Sequence, residues 1–274
     1  MSTATGEAQR TIATQSRIRA RRTGFLSQVM TVATRALRSI SRDLESVIPP
    51  LIFPVFFFAV NVGALQDMAE RIPGINYKEF QIPVAIIFAV TGVSRAVTLV
   101  TDIQTGYFDR LSLTPVNRLA MLLGLMVADF ALVVALTLPV LALGFVLGVG
   151  FDSGPLGVVV FVLIAGLWGL VYTGFPYAIA LKTGNPAAVN SSFLLFLPFV
   201  FLTTIFLPKE ALTGWMGTVA TYNPVTYLLD ALRSLISEGW DAQALLVGVA
   251  AVLGVGVVSM SLAMLALRSR VSRR

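Results

Sequence analysis

Six long apolar runs alternate with short polar stretches between residues 47 and 267. A helix of about 20 apolar residues crosses the roughly 30 Å hydrocarbon core of a bilayer. The pattern therefore predicts transmembrane helices over 47–65, 80–100, 119–149, 156–181, 191–207 and 242–267. Ahead of them, residues 25–46 place Leu26, Val29, Met30, Ala33, Leu37, Ile40 and Leu44 at helical spacing, with Arg35, Arg38 and Arg42 on the other side. Too polar to cross, this amphipathic helix is expected in the membrane interface, as a lipid anchor or a contact to a partner subunit. Residues 1–24 carry Arg, Ser and Thr without a signal-peptide core and read as a disordered basic tail, and 268–274 as a second one. The membrane domain is thus expected over 47–267.

Within the runs, a few positions break the pattern. Pro54 is expected to kink the first span, and Pro139 the third, which is also long enough to tilt. Gly157, Gly166, Gly169 and Gly174 allow close helix approach and predict that the fourth span is central. Arg95 lies about six residues from the inner end of the second span, roughly 9 Å, within reach of the interface. Asp129 lies about 16 Å into the third span, near the midplane. An acid there is a functional-site candidate, or else a structural carboxyl that is protonated or bonded to a neighbouring Ser, Thr or Arg95. Between the fifth and sixth spans, Asn223 and Pro224 read as N-cap and first residue of a helix that stops before Gly239. Tyr227, Leu228, Ala231, Leu232, Leu235 and Ile236 form its stripe, and Asp230 with Arg233 an i,i+3 pair on a more polar side. This helix is expected at the outer interface or dipping into it, beside Trp215, Tyr222 and Trp240.

Composition narrows the chemistry. Charged residues make up 12% of the chain, far below a soluble domain, and there is no Cys and no His. That excludes disulfides, thiol nucleophiles and imidazole ligands, so no catalytic, cofactor or metal site is expected on this chain. The net charge of +6 raises the question of nucleic acid. Its placement answers it: sixteen basic residues fall in the terminal regions and the loops predicted inside, including Arg95, and only Arg71, Lys78, Lys209 and Arg233 outside. Positive residues mark the cytoplasmic side, so both termini are expected there, in a cell (inner or plasma) membrane, with no nucleic-acid partner. Nor is there a P-loop: Lys182 precedes Thr183, but Leu181 stands where Gly is required.

One stretch remains unexplained by lipid. Residues 101–118, TDIQTGYFDRLSLTPVNR, form a polar island between the second and third spans. Its charges keep it in water, yet Tyr107, Phe108, Leu111 and Leu113 give it apolar residues that need a partner. It resembles the first cytoplasmic loop of ABC-2-type permeases of the daunorubicin/doxorubicin-resistance kind. The matching positions are Asp102, Gly106, Asp109 with Arg110, Leu111, then Thr114, Pro115, Val116 and Arg118. YNPVTYLLDALR, from Tyr222 to Arg233, resembles the segment before that family's last helix, through Asn223, Pro224, Tyr227, Asp230 and Arg233. Asp102 is followed by Ile103, where many relatives have a denser charge cluster.

The resemblance implies an all-α polytopic membrane protein with six spans, an N-terminal interfacial helix and re-entrant extracellular helices between spans five and six. It also implies a dimer with a second permease, identical or related, and two separate P-loop ATPase subunits that carry ATP and Mg. The island would be the helix that couples to them, with Phe108 and Leu111 as buried anchors and Asp109 and Arg110 at the rim or groove. The expected function is ATP-driven export of an apolar or amphiphilic substrate, drug-like or lipid, through a path lined by spans one, two and five. Export of a lipid-linked glycan, an ATP-independent carrier or channel centred on Asp129, and a scaffold without transport stand as alternatives.

Overall fold

The computed structural model describes residues 24–40, 48–91, 93–107, 110 and 117–272. Among these the long elements are all helices: α1 (Phe25–Ile40), α2 (Ile48–Ala69), α3 (Tyr77–Thr91), α4 (Ala96–Gln104), α5 (Arg118–Val146), α6 (Gly154–Tyr172) and α7 (Gly174–Thr183). They continue with α8 (Pro186–Asn190), α9 (Phe196–Phe201), α10 (Gly214–Tyr222), α11 (Pro224–Ser237) and α12 (Ala242–Ser272). Short 3-10 turns cover Ser191–Leu195 and Lys209–Ala211.

Five helical stretches are long and apolar enough to cross a membrane: Pro50–Ala69, Tyr77–Gln104, Leu119–Val146, Gly154–Thr183 and Ala242–Arg270. The predicted fifth span differs. Its helix starts early, at Pro186 with Asn185 as N-cap, passes through the 3-10 turn and ends at Phe201, so part of the expected inside loop is helical.

The second span, not the fourth, is the enclosed one. From Gln81 to Thr91 every residue of α3 is buried, against α2, α5, α6 and α11, whereas α2 and α12 expose most of their surface. The fourth span's glycines do what was expected of them, but toward α5 and α12. A Cβ at Gly166 would lie 2.7 Å from Phe130, at Gly169 2.7 Å from Val133 and at Gly174 2.6 Å from the Ser259 backbone. Close approach places the packing of spans on van der Waals contact, the main attraction between helices in lipid.

Two spans are interrupted. The second breaks between Thr91 and Ala96, and the fourth at Thr173, whose hydroxyl turns back to the Leu170 carbonyl. Pro176 lies in the first turn of α7, where a missing N–H costs little. The third span, by contrast, runs unbroken through Pro139 for 29 residues, about 43 Å of rise, longer than the bilayer core is thick.

α1 divides its apolar stripe between two surroundings. Val29, Ala33 and Ala36 bury against the start of α5, while Leu26 and Met30 are 76% and 58% exposed and free to face lipid. Gly124 makes this crossing close, since a Cβ there would lie 2.6 Å from that of Val32. Gly124→Leu is therefore expected to push α1 off α5, an overpacking cost of about 1–3 kcal/mol. Faster hydrogen exchange of α1 amides, with α6 and α12 unaffected, is the readout.

Candidate functional site

The polar island begins within the last turn of α4, at Thr101. Thr105 closes the helix, and Gly106 follows at φ +69°, a left-handed conformation that an L side chain rarely adopts. The Arg110 N–H donates to the Gly106 carbonyl at 3.0 Å, and both Tyr107 and Arg110 are exposed. Phe108, Asp109, Leu111, Thr114 and Pro115 lie outside the described residues. The island ends at Asn117, whose side chain accepts from the Leu119 N–H at 2.9 Å and caps α5, making Arg118 its first residue.

Both ends of the island are held by α1. On one side Arg35 reaches Asp102 at 3.1 Å and stacks its guanidinium 4.3 Å over the Tyr107 ring. On the other, Gln28 accepts from the Asn117 N–H at 2.8 Å. Arg35 is 52% exposed, so the ion pair itself contributes no more than about 1 kcal/mol. Its meaning is positional: one helix clasps the chain entering and leaving the loop. Sequence periodicity had put Arg35 opposite the apolar stripe but could not name Asp102 as its partner, 67 residues away.

Further ties join this end of the bundle. Gln104 donates to the Gly184 carbonyl at 2.9 Å, and Arg270 donates to the Leu181 carbonyl at 2.8 Å, near the C-terminal end of α7 where a cation is favoured. The island's first turn, the end of α7 and the end of α12 are thus linked.

The break in the second span leaves helix-end N–H groups inside the bundle, where no water can satisfy them. Asp129 supplies the acceptor. One carboxylate oxygen accepts from the Arg95 N–H at 2.8 Å and the other from the Tyr177 hydroxyl at 2.6 Å. Asp129 and Tyr177 are fully enclosed and Arg95 is 7% exposed, so Arg95 lies within the bundle. Asp129 is thus bonded, to a backbone group of Arg95 and to a tyrosine rather than to Ser or Thr.

At the opposite end, the chain from Leu202 to Pro208 is not helical, and side chains meet its carbonyls and that of Phe199. Asn223 donates to the Phe199 and Leu202 carbonyls at 2.6 and 3.1 Å, while its own oxygen accepts from the Val225 N–H and caps α11. Gln81 donates to the Ile205 carbonyl at 2.8 Å and Tyr77 to that of Phe206 at 3.3 Å. Arg233 keeps the i,i+3 pair expected of it and adds stronger partners. Asp230 is 3.9 Å away, but the guanidinium turns inward, donating to Thr204 Oγ1 at 2.8 Å, the Thr204 carbonyl at 2.7 Å and the Phe80 carbonyl at 3.2 Å, and lying 3.5 Å over the Phe80 ring. The α11 stripe of Leu228, Ala231, Leu232, Leu235 and Ile236 is buried, and Gly239 follows the helix at φ +83°. Tyr227 donates to the Thr221 carbonyl, while Trp215, Tyr222 and Trp240 remain exposed. Pro224 opens α11 as expected.

No cluster of three or more metal-ligating side chains occurs among the described residues. What the geometry offers is a clasped loop at one end, a capped break midway and a braced irregular segment at the other. Comparison with known families decides the class: a match to the ABC-2 type transporter family covers residues 27–236. The chain belongs to that family. Among curated relatives, the daunorubicin resistance ABC transporter permease protein DrrB1 of Streptomyces coeruleorubidus is 30% identical over 204 residues, 72% of this chain and 70% of its own length. The probable doxorubicin resistance ABC transporter permease protein DrrC of Mycobacterium tuberculosis is 25% identical over 217 residues, covering 78% and 79% of the two chains. A putative transport permease of Cyanophora paradoxa, ycf38, is 24% identical over 222 residues. The match takes in the island, the break at Arg95, Asp129 and nearly all of α11, so these features lie within the family's own domain.

Proposed function

We propose that this ABC-2 type chain is the membrane-spanning permease subunit of an ATP-driven exporter for an apolar or amphiphilic substrate, drug-like or lipid. Relatives named for daunorubicin and doxorubicin resistance support the drug-like class. ATP and Mg would be held by two separate P-loop ATPase subunits, and a second permease, identical or related, would complete the complex. The single observation that carries the coupling is the clasp of α1 on both ends of residues 101–118. A loop meant only for water needs no such fixing, whereas a loop that receives a push must pass it to the spans.

Six crossings fit this reading. α8, the following 3-10 turn and α9 together rise about 27 Å, close to the bilayer core, and the braced segment beyond Phe201 extends the reach. With six, both termini are cytoplasmic, the membrane is the cell (inner or plasma) membrane, and α10 and α11 form a re-entrant extracellular pair. The path between permeases would be lined by spans one, two and five, whose Phe56 and Phe199 are 63% and 55% exposed. Asp129, with both oxygens already bonded, supports a structural part in this machine more than the centre of an ATP-independent carrier.

The test is purification of the chain in gentle detergent from its native membrane, with ATPase activity assayed on what accompanies it. A P-loop subunit is expected, with co-purification falling at least tenfold in a Phe108→Ala, Arg110→Glu variant. A chain that purifies alone and without ATPase overturns the proposal.

A further inference from the structure

An apolar cavity of about 570 Å³ lies between the fourth span, the broken fifth segment, the start of α11 and α12. Its size falls in the roughly 300–1,000 Å³ range of small-molecule sites. Trp168 and Tyr172 of α6 form one wall, and Gly254 and Val258 of α12 the other. Leu195 and Phe199, 53% and 55% exposed, stand at the edge beside the broken segment.

Three observations define what can occupy it. The first is depth: Trp168 and Gly254 fall near the middle of their membrane-crossing stretches, about 18–24 Å from the ends. A cavity open at that level meets hydrocarbon, not water. The second is the state of its polar atoms. The Trp168 N–H is given to Thr91 Oγ1 at 2.8 Å and the Tyr172 hydroxyl to the Ser192 carbonyl at 3.1 Å, and no charged side chain lines the space. A guest with polar atoms at mid-depth would leave them unpaired, at a cost too high to bind well. The third is the wall itself: a Cβ at Gly254 would meet nothing within 4 Å, so the cavity is bounded there by the absence of a side chain rather than by packing. Two residues along the same span the contrast is plain, because a Cβ at Gly256 would lie 2.9 Å from Val171.

From these we infer that the cavity is a binding site for one acyl chain of a bilayer phospholipid, its headgroup remaining at the membrane surface. The site holds hydrocarbon between α12 and the broken fifth segment, taking the place of a side-chain contact that Gly254 omits. Phe199, which the exporter reading puts on the path between permeases, also stands at the edge of this site, but the inference itself requires only that the chain sit in a bilayer.

Trp168 reports on it directly. The chain has three tryptophans, and Trp215 and Trp240 are exposed while Trp168 is 2% exposed. With Trp215→Phe and Trp240→Phe in place, the full chain is reconstituted in phosphatidylcholine vesicles whose acyl chains carry bromine at mid-length. Bromine quenches by contact, so a tryptophan enclosed by protein is quenched only by a chain inside the cavity. Quenching of at least half the Trp168 fluorescence is expected, reduced at least twofold by Gly254→Leu or Ala251→Leu and unchanged by Gly63→Leu, a substitution with equal room on α2. Absence of quenching in the parent, which depends on no cavity variant folding, overturns the inference. So does quenching insensitive to both cavity variants, or quenching relieved by micromolar daunorubicin, which would assign the space to cargo instead.

Discussion

Asp129→Ala is expected to lose about 3–5 kcal/mol of stability, enough to remove most of the folded protein from the membrane. The residue is 0% exposed and serves two donors at once, the Arg95 N–H and the Tyr177 hydroxyl. Alanine leaves both unpaired in a site water cannot reach, each worth about 1–3 kcal/mol, and adds a small void. Asp129→Asn should lose only about 1 kcal/mol, because its carbonyl oxygen still accepts from Arg95 and its amide can donate to the tyrosine oxygen. Thermal melting of the purified complex in lipid nanodiscs measures both. The same pair separates mechanisms: substrate flux in the Asn variant should stay within about threefold of the parent if Asp129 is a cap, roughly 0.7 kcal/mol in barrier. A carrier that works through this carboxylate predicts loss of flux with normal melting.

Arg233→Leu carries the second large effect, an expected loss of about 3–4 kcal/mol. Leucine can fill part of the volume, but the Phe80 and Thr204 carbonyls lose their charged donor and the stack over the Phe80 ring is gone, the latter alone worth up to about 2 kcal/mol when desolvated. Arg233→Lys should recover less than half, since an ammonium cannot fork across three acceptors lying on two separate segments. Asp230→Ala is the control. It removes a 3.9 Å partner that is 44% exposed and should change melting by less than about 1 kcal/mol. If Arg233→Leu melts like the parent, the segment after α9 is held by something other than this side chain.

Five spans, the amphipathic first helix and the caps of α11 were legible because they rest on local rules. Length and apolarity mark a crossing, and an Asn-Pro start with a Gly beyond the end marks a helix, as Asn223, Pro224 and Gly239 do. What escaped was set by partners far along the chain. Nothing local says that the second span breaks after Thr91: Arg95 read as one charge near an inner end, and the break is tolerable only because Asp129 and Tyr177 arrive from other helices. Arg233 was read with its i,i+3 neighbour because that pairing is visible in sequence, while its stronger partners, Thr204 and Phe80, are 29 and 153 residues away. The fourth span's glycines correctly announced close packing but not its direction, and it was α3, which has no glycine but carries Ala85 and Ala89 four residues apart, that became the centre. The island motif pointed to a family, and the family match bore this out. The loop's fixing by Gln28 and Arg35 had no signal beyond two polar residues on α1.

The clasp on the loop also constrains the order in which the molecule is made. α1 is synthesised first, yet its contacts to Asp102 and Asn117 join residues 67 and 89 positions apart. While the first two crossings are being inserted, its buried stripe of Val29, Ala33 and Ala36 has no α5 to meet. The exposed Leu26 and Met30 give it somewhere to wait, resting on the bilayer surface. Docking of α1 can then begin only when the chain has emerged past Gly124, so the clasp closes on the loop after both crossings that flank it have started to form.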